Sequence, residues 1–144
     1  MSETGNLLVA IDLGPESDAL IGRVMTLYRH ALHRINVVHV IRHENFSAAA
    51  NDPWDKAHAR RMLNHVAIQV RDLFRRHGVT LASENIHIAC GEPAHEIKKL
   101  AQLIAADVVI VGSHCKKNDW LGLPGSTTNC VLQGMTSDVM AVRV

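Results

Sequence analysis

Leu7-Leu8-Val9-Ala10-Ile11-Asp12-Leu13-Gly14-Pro15 is a continuous apolar run closed by a carboxylate and a Gly-Pro break. A short apolar run bounded by turn residues reads as a buried strand, and the break sends the chain into a new element. That element is amphipathic. Leu20, Ile21, Val24, Leu27, Tyr28 and Ala31 recur at three- and four-residue spacing, which predicts a helix from about Glu16 to His33. The β-branched run Ile35 to Ile41 follows as a second strand.

The same alternation continues to the C-terminus. Residues 42–52 lose periodicity, and Asp52-Pro53 supplies a cap and a first-turn proline for a long helix. Its stripe is Ala59, Met62, Leu63, Val66, Val70, Leu73 and Phe74, and Gly78 is a natural stop. Asn85 to Cys90 alternates apolar and polar residues, the pattern of a half-exposed edge strand. Gly91-Glu92-Pro93 opens a helix with Ile97, Leu100, Ala101 and Ile104 inward, and Val108 to Val111 is a fully apolar fourth strand ending at Gly112. A short helix from Ser126 and a strand from about Val139 to Val144 complete the order β-α-β-α-β-α-β-α-β. Strict alternation with buried strands predicts one α/β domain over 1–144, a five-stranded parallel sheet with helices on both faces and right-handed crossovers.

Composition narrows the function classes. At 144 residues, with 47% apolar and 20% charged residues, the chain can enclose one core and does not read as disordered. A net charge of +1 with scattered basic residues gives no nucleic-acid footprint, and 3% aromatic residues argue against a base-stacking platform. No apolar run approaches the roughly eighteen residues of a membrane span, and the first residues lack a signal-peptide pattern, so the expected location is cytoplasmic. Three cysteines, Cys90, Cys115 and Cys130, without metal spacing suit a reducing compartment. The histidines lack ligand spacing too. His58 and His65 lie seven apart, and the pairs His30 with His33 and His39 with His43 have no supporting carboxylate or thiolate, so no metal site is expected.

In open parallel sheets, ligands bind beyond the carboxyl ends of the strands. Two such ends stand out: Asp12 after the first strand, and Gly112 after the fourth. The stretch from Gly112 to Thr128 leaves a strand, makes a glycine-bearing loop and enters a helix. Free backbone amides and the helix dipole favour a phosphate at such a junction, and the Ser126 and Thr127 hydroxyls can donate to it. It is not a Walker pattern. Two plainer readings stand beside this one: Ser126 as a helix cap with Gly125 serving the turn, and Asp12 as a turn-stabilising carboxylate before Gly14.

Val-Ala-Ile-Asp at the start, Val-His-Val in the second strand, Gly-Glu-Pro before the third helix, Asp-Val-Val-Ile-Val-Gly-Ser-His and Gly-Ser-Thr-Thr together resemble the universal stress protein family along nearly the whole chain. The resemblance implies a Rossmann-like, adenine nucleotide alpha hydrolase-like sheet of order 3-2-1-4-5. The family's nucleotide-binding branch carries glycine, two residues, glycine, nine residues, glycine and Ser/Thr. Gly112, Gly125 and Ser126 match it, while Cys115 replaces the middle glycine. The resemblance further implies an ATP site, with a divalent ion such as Mg2+ accompanying the phosphates. Asp12 would lie beside ribose and phosphates, and the Val40 backbone would contact adenine. Ser113, His114 and the amides around Cys115 would line the phosphate path, with Gly125, Ser126 and Thr127 closing it. It also implies a homodimer paired through the last strand. The sequence supplies no evident base for a γ-phosphate, so no catalytic residue and at most slow hydrolysis are expected, with nucleotide occupancy read by an unidentified protein partner. The competing expectation is a nucleotide-free dimeric interaction protein in which Cys115 and Pro124 fill the cleft.

Overall fold

In the computed structural model, described residues are 5–42, 53–113 and 134–144. Five strands, β1 (Asn6–Ala10), β2 (Ile35–Arg42), β3 (Ile86–Gly91), β4 (Ala106–Ser113) and β5 (Asp138–Arg143), form one parallel sheet of order β3-β2-β1-β4-β5. The parallel sheet is the one expected from the alternating pattern, and its order is the Rossmann-like order that the resemblance implies. Among the described residues three α-helices connect them: α1 (Ser17–Leu27), α2 (Pro53–Arg76) and α3 (Pro93–Leu103). The expected short helix from Ser126 lies outside the described residues.

Strand alternation divides the core in two. Leu7 and Val9 of β1, Ile35 and Val37 of β2 and Ile110 of β4 face α1 and α2, where Leu20, Ile21, Val24, Val66, Val70, Leu73 and Phe74 cover them. Leu8, Val38, Val109 and Val111 face the opposite side, where Ala94, Ile97 and Ala101 of α3 close over them. Among the described residues, Phe74 is the one aromatic among the large side chains with almost no exposure; the rest are aliphatic.

Several boundaries differ from the sequence expectation. The first helix stops at Leu27 instead of reaching His33, and the chain makes a separate 3-10 turn at Leu32–Arg34 before β2. An 11-residue helix rises about 16 Å, against about 17 Å for the five residues of β1. A longer helix would overshoot the edge at which β2 must begin. Thr26 also returns its hydroxyl to the Gly22 carbonyl at 3.0 Å, an alternative to helix propagation in the last turn. Strand β4 begins at Ala106, before the expected Val108. A register irregularity opposite Asn6 and Leu7 absorbs Asp107, the residue that interrupts the apolar pattern. β3 is an edge strand, as its alternation predicts, and all its residues are half-buried.

At the end of α2 and the start of α3 the helix signals act as read, while the expected Asp52 cap lies outside the described residues. Glu92 caps α3, accepting from the amides of Ala94 (3.3 Å) and His95 (2.8 Å), with Pro93 in the first turn. Gly78 takes φ 82° after α2. Its amide donates to the Arg75 carbonyl at 2.9 Å, and the Val79 amide donates to the Phe74 carbonyl at 3.0 Å. These are the two bonds of a Schellman stop.

A polar pair interrupts the α3 side of the sheet. Asn36 is buried, and its amide nitrogen donates to the Arg34 carbonyl at 3.4 Å, while its oxygen lies 3.3 Å from His87 Nε2. Burial lowers the His87 pKa below its usual 6.5. In the folded state the proton is therefore bound less readily than in the unfolded chain. His87 thus favours folding above pH 6.5, and that contribution is lost as pH falls from 6.5 through the lower folded-state value.

Two measurements check this reading. Gly78→Ala places a Cβ in a left-handed conformation and is expected to lower the unfolding free energy by about 1–2 kcal/mol in urea titrations. His87→Gln is expected to flatten the decline in stability just below pH 6.5, and an unchanged pH profile would show that His87 does not contribute.

Candidate functional site

The order β3-β2-β1-β4-β5 sends the chain from β1 toward one edge of the sheet and from β4 toward the other. The carboxyl ends of these two neighbours therefore border a crevice, the place where such sheets bind ligands. β1 has 5 residues, whereas β2 and β4 have 8 each. The last pairs made by β1 are Ala10 with Val38 of β2 and Ala10 with Val111 of β4. Beyond Ala10 the sheet has a notch, flanked by residues 39–42 on one side and 112–113 on the other.

Asp12 stands in this notch. Its Oδ1 accepts the Gly14 amide at 2.8 Å and the hydroxyl of buried Ser17 at 3.2 Å. These bonds close a side-chain turn and tie it to the first turn of α1, with Leu13 held at φ 61° between them. The plainer reading of Asp12 is thus satisfied by one oxygen. The residue is nonetheless exposed, and among the described residues Oδ2 takes no hydrogen bond. An exposed carboxylate oxygen fixed by a turn can accept hydrogen bonds from ligand hydroxyls.

Across the notch, Gly112 and Ser113 continue β4 and pair with Val142 and Arg143 of β5. A Cβ built on Gly112 would meet Val144 at 3.5 Å and Leu20 at 3.7 Å, which is ordinary contact. Side-chain packing therefore does not by itself demand glycine there.

Val40, on β2, is half-buried and packs toward the α3 side. The Val38 carbonyl accepts the Ile11 amide at 3.0 Å, so it points toward β1. Backbone groups alternate sides along a strand, and those of Val40, two residues on, point the same way, past the end of β1. Sequence reasoning missed the neighbour of Val40. His39 places Nδ1 2.9 Å from the Ile11 carbonyl oxygen, inside the notch. The available signal was a polar residue in the middle of the apolar Val38-His39-Val40 run.

Asp12, Val40, Gly112 and the backbone of Ser113 are thus brought to one edge. His114, Cys115, Gly125, Ser126 and Thr127 lie outside the described residues. Among the described residues no three His, Cys, Asp or Glu side chains gather as for a metal ion. Cys90, at the end of β3, pairs with Ile41 and is separated from the notch by β2; burial, then the charge of Glu96, raises its pKa and disfavours the thiolate. Among the described residues no helix is long and apolar enough to cross a membrane.

The chain is 30% identical to universal stress protein A homolog 1 of Coxiella burnetii over 95% of its own length and 94% of that protein's. It is similar in structure to a universal stress protein in complex with cAMP, with a TM-score of 0.65 and 17% identity over 99% of this chain and 98% of the other. A second similar structure is the universal stress protein of Archaeoglobus fulgidus in complex with dAMP, with a TM-score of 0.59 and 15% identity over 96% and 97%. The description of the universal stress protein family matches residues 3–143, and the chain belongs to that family.

Proposed function

We propose that the notch beyond β1 is an adenine-nucleotide site and that the protein is an ATP-binding stress-response module rather than an enzyme. The observation that carries this reading is the Asp12 turn. It holds one carboxylate oxygen exposed beyond the end of β1, beside the carboxyl end of β4 at Gly112. In this reading the exposed oxygen accepts a ribose hydroxyl and Val40 offers its backbone to adenine. Ser113, His114 and the amides around Cys115 line the phosphates, and Gly125, Ser126 and Thr127 close over them. A divalent ion such as Mg2+ accompanies the phosphates. The relatives bound to cAMP and dAMP support an adenosine phosphate as the ligand class. No residue is assigned to hydrolysis; occupancy biases the 113–125 loop, and a partner protein reads the result.

We further propose a cytoplasmic homodimer through β5. Among the described residues this strand is an outer edge of the sheet, and Val139 and Met140 are only half-buried in one chain. An unpaired parallel edge with apolar residues is suited to pairing with its own copy.

Asp12→Asn separates the two roles of the carboxylate, because an amide oxygen still accepts from Gly14 and Ser17 while the charge is lost. ATP affinity by calorimetry is expected to fall about tenfold or more, as for a charged hydrogen bond, with little change in melting temperature. Unchanged affinity would confine Asp12 to the turn. Wild-type protein is expected to release adenine nucleotide on denaturation or to bind added ATP with Mg2+. Neither occurring at millimolar ATP would favour the nucleotide-free alternative, with Cys115 filling the site. Sedimentation is expected to give twice the 15.8 kDa chain mass; a monomer at tens of micromolar would overturn the β5 pairing.

A further inference from the structure

His39 and the Ile11 carbonyl carry one more step. In a continuing parallel ladder, the carbonyl of a residue whose amide bonds strand residue i accepts the amide of residue i+2. The Ile11 amide donates to the Val38 carbonyl, so the Ile11 carbonyl would ordinarily accept from the Val40 amide. Paired residues of β1 and β2 nevertheless end at Ala10 and Val38, and the Ile11 oxygen lies 2.9 Å from His39 Nδ1. A carbonyl oxygen only accepts, so Nδ1 carries the proton and donates. Among the described residues the imidazole, and not the Val40 amide, is thus the donor at this oxygen, one residue before the Asp12 turn.

We infer that His39 is a positioning residue that diverts the Ile11 carbonyl, ends the β1–β2 ladder and leaves the Val40 amide and carbonyl as a free edge selective for adenine. The ligand class rests on the nucleotide reading above. The chemistry of selection is general. Adenine presents an acceptor, N7, beside a donor, the N6 amino group, whereas guanine presents acceptors at both N7 and O6. An amide donor and a carbonyl acceptor on one strand edge complement the first pattern and set the carbonyl against guanine O6. His39 itself need not touch the base.

The test uses the full chain, first without nucleotide. In wild type, long-range 1H–15N spectra are expected to show the Nδ1–H tautomer of His39, and the Val40 amide to exchange with solvent at least 10-fold faster than that of Val38. An Nε2–H tautomer, or a Val40 amide as protected as Val38, would overturn the inference without any variant. His39→Phe, which cannot donate, is expected to slow Val40 exchange. It is also expected to reduce the AMP-over-GMP preference 10-fold or more while leaving inorganic pyrophosphate binding unchanged. His39→Asn, which restores a donor close to the backbone, is expected to recover most of the preference. Parallel losses for AMP, GMP and pyrophosphate would instead mark a general structural role and overturn the adenine assignment. Failure of the wild-type protein to bind AMP would overturn the nucleotide reading and its adenine selectivity together. The exchange and tautomer measurements would still decide whether His39 releases Val40.

Discussion

The bond from the Gly14 amide to the Asp12 carboxylate sets the shape of the functional edge. It turns the chain immediately after β1, while β2 and β4 on either side run further. A central strand that stops early leaves the Val40 backbone of β2 facing past its end. A backbone amide and carbonyl beside an exposed carboxylate make a polar recess in an otherwise aliphatic layer. Ser17 reinforces the arrangement, because its buried hydroxyl spends its hydrogen bond on the same carboxylate oxygen and fixes the start of α1 to the turn.

Behind this edge, the two cores keep the sheet rigid. Both faces of β1 are packed, Leu7 and Val9 against α1 and α2 and Leu8 against the α3 side, so the strand can move only if both layers move with it. With few aromatic residues, the packing relies on branched aliphatic chains that fit the pleat closely. That rigidity lets a single side-chain turn hold its position at the sheet edge.

Much of this was legible in the chain. The apolar runs of β1 and β4, the alternation of β3, the Gly78 stop and the Glu92-Pro93 start each state a local preference that the structure follows. The end of α1 was not legible, because periodicity continues through Tyr28 and Ala31 although the sheet has already run out of height. Neither was the early start of β4, since Asp107 looks like a boundary until a register irregularity accommodates it. At the candidate site, Asp12 was visible as a residue that follows a strand, and Gly112 as one at the carboxyl end of a strand, which in fact runs on to Ser113. His39 was invisible as a partner of Ile11, because only the register of β1 against β2 brings residues 28 positions apart together. Spacing along the sequence, the sole guide to histidines before the fold is known, compared His39 with His43 instead.

The pairing of β1 with β4 also has a temporal meaning. Asn6 donates its side-chain amide to the Ile104 carbonyl at 2.8 Å across 98 residues, and the strand pairs beside it span similar separations. Closing so long a loop is entropically costly, and contacts of this range form late. During synthesis β1, β2, α2 and β3 can assemble from the first two-thirds of the chain, with one edge of β1 still bare. The crevice between β1 and β4 then comes into existence only when the C-terminal third docks. Its two walls belong to opposite ends of the polypeptide, so a complete recess is a property of the finished chain and of no fragment of it.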